Sequence, residues 1–336
     1  MKNTKPGTFA AFGVLAVLFA TLVPSGAHAA GFQRAQAADP DGKALAIGIW
    51  YPSQATPRRT SFGATTMSVA VDSPIDGRAL PLIVISHGTG GSLLDHYDTA
   101  IALADAGYVV AAVTHRGDNH ADRSRSVFIM DRPRQISRVI DHVLSNWAGS
   151  ATIDPSRIGM FGFSAGGFTT LASIGGRADF SRIGPMCSEY PGDFVCQLLA
   201  KAGPDGLVAP DSSLVHDARI KAAVVAAPAL GFTFAPDGLK DVRIPVQLWR
   251  AEEDALLPHP RYAEPVRQAL GISDYHVVSQ AGHFDFLPPC SDTLATIAPM
   301  ICTSNAGFDR AAFHLSFNTS VVDFFSRSLG RHRAGD

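Results

Sequence analysis

Five residues, Gly162-Phe163-Ser164-Ala165-Gly166, set one hydroxyl between two glycines where the apolar run RIGMFGF gives way to the small-residue pattern GGFTTLASIGG. The G-x-S-x-G spacing suits a strand-to-helix turn so tight that its flanking positions must lack side chains, and such a turn pushes the serine oxygen outward. The plainer reading is a glycine-rich turn with a capping serine. A serine hydroxyl attacks a carbonyl only when a base removes its proton. Of the twelve histidines, His283 is best placed for this, in SQAGHFDFL directly after the last strand-like run. His142 and His314 fall on helical patterns and read as structural.

An imidazole acting as base needs an anion to hold its ring and stabilise its charged form. Asp254, in AEEDALLP after the run PVQLWR, is at the right end of a strand for that role, with Glu252 and Glu253 as competing neighbours; Asp285 is too close to His283 in sequence. Acyl transfer further requires donors aimed at the developing oxyanion, and losing one typically raises the barrier by about 3 to 4 kcal/mol. SHGTGG, Ser86 to Gly91, follows a buried run and supplies them. The expected pair is the backbone N–H of Thr89 and that of Ala165. A phosphate loop would need a following G-K-[ST] or a dinucleotide fingerprint, and neither is there.

These residues must be positioned by a scaffold, and its periodicity is legible. From about residue 80 the runs LPLIVIS, YVVAAVTH, RIGMFGF, IKAAVVAA, PVQLWR and YHVVS alternate with helical patterns, the signature of a mostly parallel sheet with helices on both faces. Ile136, Val139, Ile140, Val143, Leu144 and Trp147 fall on one helical face, and Phe313, Phe317, Val321, Phe324 and Phe325 form the stripe of a closing helix. Upstream, ALAIGIWYP reads as an early strand paired antiparallel with TTMSVAV or its neighbours. Two stretches break the alternation, 177–219 and 284–308. Insertions of this kind sit over the carboxyl edge of the strands, so they are expected as a lid-like rim and a second rim. The segment Met186 to Ala209, APALGF with Pro228 and Leu230, and Tyr97 are candidates for a substrate-binding wall; completing the core is the alternative for each. His115, Arg116 and His120 are candidates to reach the site from a loop.

Lys2 and Lys5, an apolar stretch from Phe9 to Val23 and Ala27-His28-Ala29 have the form of an export signal over residues 1–29, leaving 30–336 as one catalytic domain. A periplasmic or secreted location follows, with no stable membrane anchor. Without the two leader lysines, 26 basic residues face 30 acidic ones, a balance that argues against a nucleic-acid partner. Cys187, Cys196, Cys290 and Cys302 would pair in an oxidising compartment. Three pairings are possible, and the two local ones are favoured because each brackets a short segment. Metal-ligand spacings are missing, so no metal is expected.

The order Ser164, Asp254, His283 with HGTGG upstream resembles the α/β-hydrolase superfamily. IGIWYPSQ, the segment LPLIVISHGTGG to HRGDN, and PPCSDTLATIAPMIC are similar to exported bacterial proteins described as predicted dienelactone hydrolases, related to the platelet-activating-factor acetylhydrolases. The resemblance implies an α/β-hydrolase fold, hydrolysis of a small-molecule carboxylic ester without a cofactor, and the same two local disulfides. Dienelactone hydrolases use a cysteine nucleophile where this chain has Ser164, so ordinary ester hydrolysis is the expectation. Phospholipase-like and polyester or plasticiser-ester hydrolysis are alternatives, as is an inactive ligand-binding scaffold.

Overall fold

The computed structural model describes residues 1–3, 29–40, 42–202 and 215–330. Most of the expected leader therefore lies outside the described residues, as does part of the first insertion. In chain order the elements are β1 (Ala29–Ala37), β2 (Leu45–Ser53), β3 (Arg58–Phe62), β4 (Thr65–Val71), β5 (Leu80–Ser86), α1 (Tyr97–Asp105), β6 (Val109–Val113), α2 (Asp131–Ser145), β7 (Ile153–Phe163) and α3 (Ala165–Ser173). They continue as α4 (Ile183–Glu189), α5 (Phe194–Ala202), β8 (Ile220–Ala226), β9 (Val246–Ala251), α6 (Ala263–Leu270), β10 (Tyr275–Val278), α7 (Asp292–Ile297), α8 (Pro299–Cys302) and α9 (Arg310–Leu329).

The ten strands form one sheet in the order β10-β9-β8-β7-β5-β6-β2-β1-β4-β3. From β10 to β6 every pairing is parallel. From β9 to β6 the strands are largely buried on both faces and read as continuous apolar runs, whereas β10 at the edge is partly exposed. β5 shows why: Leu82 and Val84 enter one core with Ile136, Val139, Ile140 and Val143 of α2 and Phe168 of α3. Ile83 and Ile85 point the other way, into a core closed by α1 and by Phe317, Val321, Phe324 and Phe325 of α9.

The edge nearest the amino terminus differs from the sequence expectation. β2 pairs antiparallel with β1 and β6, whereas β4 pairs with β3 and, in parallel, with β1. The expected pairing of ALAIGIWYP with TTMSVAV is thus replaced by an intervening strand. β1, AAGFQRAQA, contains no β-branched residue, so propensity gave no sign of it.

The chain crosses from β6 back over β5 to reach β7, so β5 has neighbours leading in opposite directions. In an open α/β sheet this switch opens a crevice beyond the carboxyl ends of the strands. The loop after β5 carries Gly88 and Thr89, and the turn after β7 carries Ser164. Both motifs therefore meet at that crevice.

Candidate active site

Ser164 has φ +56° and ψ −117°, an unfavourable backbone for a residue with a side chain. The turn is held by Ser164 N–H donating to Ala226 O and by Ser164 O accepting from the N–H of Ala229 and Phe168. Its glycines are obligatory on steric grounds. A side-chain carbon on Gly162 would lie 2.1 Å from Gly166 O, and one on Gly166 would lie 1.9 Å from Ser86 O.

The structure brings Ser164, His283 and Asp254 together from three elements. His283 Nε2 is 3.0 Å from Ser164 Oγ, and His283 Nδ1 is 2.7 Å from Asp254 Oδ2. The three are 7 %, 6 % and 5 % exposed, so they are largely shielded from water that would compete for these bonds. Asp254 Oδ1 accepts from the N–H of Leu256 and Leu257, which fixes the carboxylate on the turn after β9. A carboxylate accepts only, so Nδ1 carries the imidazole proton and Nε2 is left to accept from the serine hydroxyl. The Phe163 ring, 4.8 Å from that of His283, packs against the imidazole. The competing acids point elsewhere: Glu252 accepts from Ser279 and Gln280, Glu253 from Asn305, and Asp285 from Gly282, Ser304 and Arg310.

The loop after β5 runs alongside the serine. A side-chain carbon on Gly88 would meet Ser164 Cβ at 3.4 Å, so Gly88 borders the serine and Thr89 is the next residue along the loop. Ala165 opens α3 directly after the serine, where backbone N–H groups have no helical acceptor.

Behind this loop is a polar network that the sequence reading did not identify. Arg132, 2 % exposed, donates to His87 O and Gly88 O and, through Nε and Nη2, to Asp118 Oδ2. Asp118 Oδ1 accepts from Gly90 N–H and Ser126 Oγ. A sequence signal existed, since Arg132 lies four residues before Ile136 on the buried stripe of α2. A charged residue in an apolar stripe needs a buried partner. His87 and His115 complete the support. Burial holds both well below the usual histidine range, so each is neutral. His87 Nδ1–H donates to Gly88 O while Nε2 accepts from His115 N–H. His115 Nδ1–H donates to Gln135 Oε1 and Nε2 accepts from Ser86 Oγ. His115 thus braces the loop from behind, and Arg116 pairs with Asp39, so these candidates do not reach the serine.

Of the wall candidates, Leu230 joins the apolar core, Pro228 is buried against Gly167, and Tyr97 packs at the start of α1. None of the three lines the cleft of about 490 Å³ beside Thr89, which is bounded by the loop 123–128 and by α5. α5 belongs to the first insertion and is tied to α4 by the Cys187–Cys196 disulfide; Cys290 and Cys302 form the second. Among the described residues no helix is long and apolar enough to cross a membrane, and no cluster of metal-ligand type occurs.

Comparison with known proteins agrees with this architecture. Residues 53–138 match the family described as platelet-activating factor acetylhydrolase, isoform II. A probable dipeptidyl-aminopeptidase B from Grosmannia clavigera is 38% identical over 73 residues, which are 21% of this chain and 7% of that protein. A ferulic acid esterase from Streptomyces cinnamoneus superposes with a TM-score of 0.59 at 17% identity, over 94% of this chain and 93% of its own. The chain therefore has the α/β-hydrolase fold, and its residues 53–138 are similar to the platelet-activating factor acetylhydrolase isoform II family.

Proposed function

We propose that this chain is an exported serine hydrolase that cleaves short-chain or compact carboxylic esters through an acyl-enzyme. The observation that carries the reading is the continuous relay from Asp254 through His283 to Ser164, with contacts of 2.7 and 3.0 Å, at the sheet's switch point. Ser164 Oγ attacks the acyl carbon as its proton passes to His283 Nε2. Asp254 holds Nδ1–H and stabilises the imidazolium that forms. The N–H groups of Thr89 and Ala165 take the oxyanion, and His283 then protonates the leaving alkoxide. Water, deprotonated by the same nitrogen, releases the acid and restores the serine.

The family match over residues 53–138 supports an acetyl or similarly small acyl group. It equally accommodates a phospholipid-like alcohol, the second reading. Two disulfides fit an oxidising compartment and support export. Ser164→Ala should abolish hydrolysis of p-nitrophenyl acetate while leaving the circular dichroism spectrum unchanged. Unchanged turnover would refute the assignment. A panel of acyl chain lengths, together with a dipeptide p-nitroanilide, separates compact-ester hydrolysis from lipid and peptide cleavage.

A further inference from the structure

The cleft beside Thr89 has an uneven chemistry. Its lining combines the apolar Phe128, Phe194 and Leu198 with two cations, Arg123 and Lys201, and includes no carboxylate among the described residues. Arg123 comes from the loop after β6 and Lys201 from the last turn of α5, so the charges face the cleft from separate elements.

Arg123 is held against the loop that borders Ser164. Its Nη2, Cζ and Nε lie 2.8, 2.9 and 3.0 Å from where a side-chain carbon on Gly90 would sit, so the guanidinium lies face-on over the Gly90 backbone. Gly90 has φ +72° and is anchored through its N–H to Asp118. Among the described residues Arg123 makes no ion pair. A second arginine-rich cleft nearby is different in kind: there Arg116 and Arg138 pair with Asp39, and Arg125 and Arg134 pair with Asp131.

Lys201 is also carried on a fixed element. Cys196 ties α5 to α4, and Asp193, just before α5, accepts from Tyr262 Oη and Arg261 Nη2 downstream of the Asp254 turn. Two cations on anchored supports thus line, with apolar side chains, a cleft that reaches Thr89, the residue after the Gly88 that borders Ser164.

The geometry points to an ester substrate that carries an anionic group, a carboxylate or a phosphate, seated between Arg123 and Lys201 while its apolar portion lies on Phe128, Phe194 and Leu198. This inference rests on the esterase reading and specifies its substrate class. Guanidinium and ammonium groups both bind either anion, so the source of the charge is left to experiment.

The test compares kcat/KM within two matched pairs. The mono-p-nitrophenyl ester of glutaric acid against p-nitrophenyl pentanoate places a carboxylate on the acyl side. 4-Acetoxyphenyl phosphate against 4-acetoxyanisole, followed by acetate release, places a phosphate on the alcohol side. The charged member should be preferred in at least one pair. That preference should fall about fivefold for each of Arg123→Gln and Lys201→Gln, mainly through KM, the scale expected of solvent-exposed ion pairs. Added salt should erode it in the wild type. A preference that stays within about twofold of wild type in both pairs for the double variant overturns the inference. Ser164→Ala, run alongside, separates the two ideas: persistent hydrolysis of the uncharged esters sinks the esterase reading, whereas Ser164-dependent hydrolysis with an unmoved preference sinks only the anion subsite.

Discussion

Replacing Arg132 by Met removes one cation but disturbs four contacts at once. Asp118 Oδ2 loses the donors Nε and Nη2, at 3.1 and 2.7 Å, and the carbonyls of His87 and Gly88 lose theirs at 3.1 Å or less. Removing one partner of a buried ion pair typically costs about 3 to 5 kcal/mol, because the other charge remains desolvated. Asp118 keeps two donors on Oδ1, Gly90 N–H and Ser126 Oγ, so the lower end, about 3 kcal/mol, is expected. The freed loop also carries Thr89. Loss of a well-placed oxyanion donor costs roughly a hundredfold or more in kcat, and partial misplacement should cost about tenfold. Equilibrium unfolding in urea gives the first quantity and saturating ester kinetics the second. Adding Asp118→Asn to Arg132→Met removes the stranded charge and should restore part of the stability, but not kcat. A cost below about 1 kcal/mol for Arg132→Met, or a double variant no more stable than the single one, would show that no charge is stranded behind the loop.

Gly166→Ala should yield no soluble folded protein, because the new carbon would sit 1.9 Å from Ser86 O, a backbone atom at the centre of the sheet; a normal unfolding midpoint would contradict this. Burial pushes Asp95, which accepts from Ser92 N–H and Oγ, up to about 6. Between about pH 4 and 6 the folded chain therefore keeps a proton that the unfolded chain has lost, so stability falls as pH rises through that window and the penalty persists above it. Asp95→Asn should remove that slope and stabilise the protein near neutrality by on the order of 1 to 3 kcal/mol, read from unfolding curves across the range; parallel wild-type and variant profiles would contradict it. Cys187→Ser with Cys196→Ser opens a short loop worth about 2 to 3 kcal/mol in the chain-entropy model. Amide exchange should then rise across α4 and α5, and faster exchange centred on β5 or β7 instead would show that the bond serves another part of the fold.

How far the sequence reveals this molecule depends on where the information is local. The five strands from LPLIVIS to PVQLWR are nearly continuous apolar runs because they are buried on both faces, so composition alone marks them, while YHVVS at the sheet edge is only partly buried. The turn at Ser164 is legible because the spacing of Gly162, Ser164 and Gly166 is local, although only Gly162 answers to a nearby contact, Gly166 O, while Gly166 answers to Ser86 O on another strand. Pairing at the amino-terminal edge was not legible, because β1, AAGFQRAQA, has no β-branched residue and no clean apolar alternation to mark it as a strand. The support behind the loop after β5 joins Arg132 to Asp118 and His87 across long sequence separations. Only the charge in an apolar stripe hinted at it. Likewise, Arg123 and Phe128 line a cleft only because the disulfide-tied α5 lies opposite them.

The proposed ester hydrolysis stands on Ser164 as the nucleophile activated through His283. Labelling the native protein with a fluorophosphonate probe and mapping the adduct by mass spectrometry tests it most directly. One adduct is expected, on Ser164, and it should form far more slowly when His283 is replaced by Ala. An adduct on another residue, or labelling of Ser164 at an undiminished rate without the imidazole, would contradict it.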